Sequence, residues 1–134
     1  MLRARRTAEL AGFPHPQVTD LLREFNYGEY EGLTSAQIRS SRPGWEIYHD
    51  GCPGGESPAE VYARAQQFLD LATGDAAGAG NVLAFAHGHI IRAVAVAWLA
   101  FDITAASKFQ LDVATLSQLA GTDRGRELAL WNSP

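Results

Sequence analysis

The chain has 134 residues, of which 46% are hydrophobic and 19% charged, with a formal net charge of -4. That composition fits one globular domain, residues 1–134, with enough apolar side chains to bury a core, and it excludes a disordered chain. It gives no whole-chain attraction to nucleic acid or to an anionic membrane. The longest apolar stretch, around Val94 to Phe101, is too short to span a bilayer. A single cysteine, Cys52, excludes an intrachain disulfide framework, so a cytoplasmic location is the expectation.

Leu2, Ala4, Ala8, Leu10 and Ala11 share one helical face, and Gly12 is placed to end that helix. Pro14 and Pro16 mark a loop, and Val18 to Leu22 reads equally as a short strand or a turn. Thr34 and Gln37 form a capping box at the next helix, with Leu33 and Ile38 as its hydrophobic staple and Pro43 as its stop. Residues 43–56 form a Gly- and Pro-rich loop carrying Trp45 and Tyr48. Ser57-Pro58-Ala59-Glu60 opens a longer helix, whose apolar face is Val61, Ala65, Phe68, Leu69 and Ala72.

Gly74 to Gly80 reads as a turn; its Gly78-Ala79-Gly80 precedes a strand and so is not a dinucleotide fingerprint. The apolar run Val82 to Ala86 predicts a strand buried on both faces of a parallel sheet. His87-Gly88-His89 follows it, and Ile90, Ile91, Val94, Ala95, Trp98 and Leu99 line another helix. Two more strands are predicted near Val113–Leu119 and Glu127–Trp131. The expected fold is α/β, a mostly parallel sheet flanked by helices.

Three segments carry candidate chemistry. Ligands of open α/β sheets bind beyond the carboxyl ends of the strands, and a helix opening there offers unpaired N–H groups to an anion. His87-Gly88-His89 stands at such a junction, with Gly88 allowing close approach and Arg92 one turn on. The same histidines also read as packing residues or as a metal-ligand pair. Leu22 to Gly32 is rich in carboxylates. One of them suits general acid–base work if burial raises its proton affinity; otherwise the segment is an acidic surface turn. Arg3-Ala4-Arg5-Arg6 holds arginines able to fork onto phosphate, or simply a solvated helix face.

Together these segments resemble the histidine phosphatase superfamily, the phosphoglycerate mutase-like enzymes. Arg3-Ala4-Arg5-Arg6-Thr7-Ala8 matches the second half of the family's first-helix pattern. Leu22 to Gly32 matches its next block, with Glu24, Gly28, Glu31 and Gly32 in register. Gly55-Glu56-Ser57 matches the opening of its long helix, and His87, Gly88 and Arg92 match the block with its second histidine. Order and spacing agree over essentially the whole chain. The loop from Pro43 to Ser57 looks most like bacterial acid phosphatases of the family.

The resemblance implies phosphoryl transfer through a phosphohistidine, without metal or other cofactor. Glu24 resembles the general acid, and His87 the second histidine that holds phosphate oxygens. Arg3 resembles the phosphate-clamping arginine; Gly88 and Ser57 would face the phosphate and the substrate. His89 is expected to pack behind them. The implied partner is a small phosphorylated metabolite, with no nucleic acid and no membrane; a homodimer is compatible with it.

The family's Arg-His-Gly signature is missing. The histidines are His15, His49, His87 and His89, and none follows an arginine. The expectation is therefore an N-terminally truncated domain, lacking its first strand, the following helix and the nucleophile. Such a chain would be inactive alone and would leave strand edges and an apolar face uncovered. Alternatives are a non-catalytic homologue that binds phosphorylated ligands, a sheet completed by another chain, a mutase, and a metal hydrolase using His87 and His89.

Overall fold

The computed structural model describes residues 2–74 and 80–134; most of the turn expected at Gly74–Gly80 lies outside them. Helix α1 runs over Leu2–Leu10. The ambiguous Val18–Leu22 segment is a 3-10 turn at Asp20–Leu22, begun by Thr19, whose hydroxyl accepts the Leu21 N–H. A second such turn spans Gly28–Tyr30. Helix α2, Ser35–Ser41, has both halves of its Thr34–Gln37 capping box. Of the two residues of the expected staple, Ile38 is buried and Leu33 half exposed.

The aromatic loop is less irregular than its glycines and prolines imply. It contains one helical turn, α3, at Ile47–Asp50, started by the Glu46 carboxylate on the Tyr48 N–H. Trp45, Ile47 and Tyr48 are all core residues. They can be buried because their polar atoms are partnered: Trp45 Nε1 donates to the Gly51 carbonyl at 2.9 Å, and the Tyr48 hydroxyl donates to the His89 carbonyl at 2.9 Å.

Helix α4, Pro58–Thr73, starts at the predicted Ser57–Glu60 box. It packs on α5, Gly88–Trp98, whose residues from Ala93 to Trp98 are buried. A 3-10 segment at Ile103–Lys108 covers the other side of α5. The core lies between these elements and is centred on Phe25, Tyr48, Val61, Ala65, Ile90 and Val96.

The two C-terminal strands form as predicted, β1 at Leu116–Thr122 and β2 at Gly125–Ser133. They make an antiparallel hairpin with Thr122 opposite Gly125. Trp98 ties it to α5, with its Nε1 donating to the Glu127 carbonyl at 3.1 Å and the Arg126 guanidinium 4.7 Å from the ring centroid. This hairpin is the sheet of the described residues, so the parallel sheet expected around Val82–Ala86 is not seen there. A parallel strand exists only through flanking strands, and neither β1 nor β2 pairs with residues 82–86. Instead, Val82 and Leu83 are half exposed at a cleft of about 670 Å³. Its walls are α1, residues 12–19, Phe68, Leu71 and Ala72 of α4, and residues 82–85, with His87 at one end. Among the described residues no helix is long and apolar enough to cross a membrane.

Candidate active site

Two distant segments cross beneath the site. A side chain on Gly28, where φ is +51°, would come within 2.2 Å of the Pro53 carbonyl oxygen; one on Gly55 would meet the Asn26 carbonyl oxygen at 2.2 Å. Backbone contact this close requires glycine in both strands of the crossing. The Glu29 N–H donates to Pro53 and the Glu56 N–H to Asn26, which locks the crossing. Gly28 of the Leu22–Gly32 block and Gly55 of the Gly55-Glu56-Ser57 block are thus explained by a shared contact.

The crossing directs Glu24 at the start of α5. Its Oε1 accepts the N–H of Phe25 at 3.0 Å and of Ile90 at 3.1 Å, and its Oε2 accepts the His89 N–H at 3.3 Å. The N–H groups of the α5 terminus are therefore largely taken by a carboxylate of the chain, not left open as expected. Burial raises the proton affinity of Glu24, but the His89 side chain and the N–H groups of Phe25 and His89 outweigh it, and the carboxyl is held at about 2. This corrects the expectation of a raised proton affinity: partial burial is present, but hydrogen bonds to the ionised form win. The helix dipole favours the same form.

His89 packs behind Glu24, as expected, and adds a polar contact. Its Nδ1 lies 2.8 Å from the Tyr27 hydroxyl and 3.7 Å from Glu24 Oε2, with the direction of the tyrosine bond set by the imidazole tautomer. The ring sits edge-on to Phe25 and Tyr27, and Tyr48 packs beside it. Burial, reinforced by the charge on Glu24, pushes the Tyr27 hydroxyl up, and burial does the same for Tyr48, so both stay protonated. The tyrosines of this cluster were not legible as site residues, because their positions fit core packing equally well.

His87 is the N-cap of α5, and its side chain caps nothing. Partial burial lowers its proton affinity; Glu24 opposes this and Arg3 adds to it, so both charges act at the ring. Arg3 is exposed on α1. Gly88 follows His87, and its carbonyl accepts Arg92 Nε at 3.2 Å, which turns the half-buried Arg92 back toward the helix start. The structure thus brings Glu24, His87 and Gly88 to one helix end, with the charge of Arg3 on α1 felt at the His87 ring.

Ser57 is placed elsewhere. Its hydroxyl donates to the Glu60 carboxylate at 2.7 Å and accepts the Glu60 N–H at 3.3 Å, a complete cap of α4. None of its hydrogen bonds reaches Glu24 or His87. Among the described residues, no group of three or more His, Cys, Asp or Glu side chains is arranged to hold a metal ion.

A carboxylate and two histidines at a helix start, in this α/β arrangement, define the class first: a phosphoglycerate mutase-like fold with its polar cluster at the end of the segment that carries His87. The chain belongs to the Histidine phosphatase superfamily (branch 1), whose sequence model matches residues 1–134. It is similar to an acid phosphatase of Mycobacterium tuberculosis, with 42% identity over 125 residues, covering 92% of this chain and 61% of the relative. It is also 30% identical over 125 residues to the sedoheptulose 1,7-bisphosphatase of Saccharomyces cerevisiae, covering 76% of this chain and 46% of that protein. The chain thus spans less than two thirds of the length of either relative. A solved Mycobacterium tuberculosis open reading frame superposes with a TM-score of 0.92 at 39% identity, covering 98% of this chain and 67% of that one.

Proposed function

We propose that this chain supplies the acid side of a phosphomonoesterase site that acts on a small phosphorylated metabolite. The observation that carries the reading is Glu24, held by the N–H groups of His89 and Ile90 at the start of α5, beside His87. Membership of the phosphatase family and the named activities of the two relatives support it.

In this proposal Arg3 and His87 hold the phosphoryl oxygens, with the Gly88 backbone lining the pocket. Glu24 protonates the leaving oxygen. A carboxyl held at about 2 is ionised at neutral pH and has no proton to give. A dianionic ester brought against it adds like-charge repulsion, which raises its proton affinity. Substrate binding itself then provides the proton uptake that acid catalysis needs. The same ester raises the proton affinity of His87, whose N–H donors then face the phosphate.

Formation of a phosphohistidine needs an attacking histidine, which the family carries directly after an arginine. No Arg-His pair occurs in this sequence, so the chain alone binds without turning over. A reducing, cytoplasmic setting suits the buried, unpaired Cys52. The test is hydrolysis of p-nitrophenyl phosphate by the purified 134-residue chain. No turnover is expected. Turnover that is abolished by Glu24→Gln or His87→Ala would overturn the claim that the nucleophile lies outside these residues.

A further inference from the structure

Arg64 is a charged residue on the apolar stripe of α4, between Val61 and Ala65, which are fully buried. Such a position is costly unless every donor is partnered and the charge is met. Each guanidinium nitrogen of Arg64 is partnered and the charge is met. Arg64 Nε donates to Glu56 Oε1 and Nη2 to Glu56 Oε2, each at 2.9 Å, a two-pronged pair with both side chains about nine-tenths buried. Nη1 donates to two backbone carbonyls at 2.8 Å, those of Leu21 and Arg23. Glu56 adds its own bonds: Oε2 accepts the Asn26 N–H at 2.8 Å, and its backbone N–H donates to the Asn26 carbonyl at 3.0 Å. Arg23 approaches Oε1 at 3.6 Å.

All these anchors flank the Glu24–Phe25 pair. The carbonyls of Leu21 and Arg23 precede Glu24, and the backbone groups of Asn26 follow it. The segment is otherwise irregular, so its own secondary structure does not fix where Glu24 points. We propose that the Glu56–Arg64 pair is a positioning device that sets Glu24 against the start of α5. Its catalytic meaning rests on Glu24 being the acid, but the positioning itself does not, and it is read out without substrate. The geometry also explains the choice of arginine. A lysine presents one point charge, and cannot hold two carboxylate oxygens and two carbonyls together.

The test is the titration of the Glu24 carboxyl by NMR of the side-chain carbonyl carbon, in the 134-residue chain labelled with carbon-13 glutamate. The unmodified chain should titrate at about 2. In Arg64→Lys and in Glu56→Gln the Glu24 midpoint should rise by about one unit or more, as its bonds to His89 and Ile90 lengthen. Leu69→Ala, which opens the core on the same helix without touching the clamp, should leave the midpoint unmoved. A Glu24 midpoint unchanged in the folded clamp variants, or moved equally by Leu69→Ala, would overturn the proposal. If neither clamp variant folds, native-state hydrogen exchange on the unmodified chain decides. The amides of Asn26 and Ile90 should open together, and distinct opening free energies for the two would contradict the coupling. Failure of phosphate binding would count against the proposed function and leave this result standing.

Discussion

The two sides of His87 differ in kind. Toward α5, the chain is closed: Glu24, Tyr27, Tyr48 and His89 are tied to one another or to backbone groups over the packed ring of Phe25. Toward α1, the chain is open, and Val82, Leu83, Leu71 and Phe13 line a broad apolar cleft. The first side is built from bonds that the described residues make among themselves. The second presents apolar surface of the kind that a neighbouring strand or chain covers in a parallel sheet. The contrast is between a Glu24 side whose polar groups are partnered within the described residues and a cleft side whose apolar side chains stay half exposed.

Substitutions on the two sides should therefore behave differently. Phe25→Ala removes a ring that is 2% exposed and should destabilise the chain by about 3–5 kcal/mol. Leu83→Ala removes a half-exposed side chain at the cleft, and about 1 kcal/mol or less is expected. Chemical denaturation of both variants checks the pair; equal losses would erase the distinction between the sides.

The Glu24 side should also dominate the pH dependence of stability. Glu24 binds its proton less tightly in the folded chain, at about 2, than at its ordinary value of 4.5. Its contribution is therefore present above about pH 4.5 and is lost as pH falls toward 2, with a size on the order of 3 kcal/mol. Glu24→Gln should flatten this window in denaturation curves taken between the two values. A variant that keeps the full acid loss would place the effect elsewhere.

A similarly small effect belongs to Ser57. Ser57→Ala should cost about 1 kcal/mol by loss of the α4 cap. If the cap is its whole role, phosphate affinity will not change; a loss of affinity larger than the loss of stability would return Ser57 to the substrate side.

What the sequence made legible was mostly local. The boxes at Thr34–Gln37 and Ser57–Glu60, the α4 stripe and the His-Gly helix start all depend on residues a few positions apart. Glu24 and His87 were legible through the order of the family blocks. The state of Glu24 was not, because its partners His89 and Ile90 lie 65 and 66 residues away. The parallel partners expected for Val82–Ala86 fail for a similar reason: an apolar run declares that it wants neighbours, without naming them. One missed signal was present. An arginine on an otherwise apolar helical stripe, Arg64, marks a buried partner, and Glu56 was already in view in the Gly55-Glu56-Ser57 block.

The most direct test of the central claim is calorimetric titration of inorganic phosphate into the folded 134-residue chain at neutral pH. Saturable binding of one phosphate is expected, weakened about tenfold or more by His87→Ala and by Arg3→Ala. A well-folded chain that takes up no phosphate, or one whose affinity neither substitution changes, would contradict it.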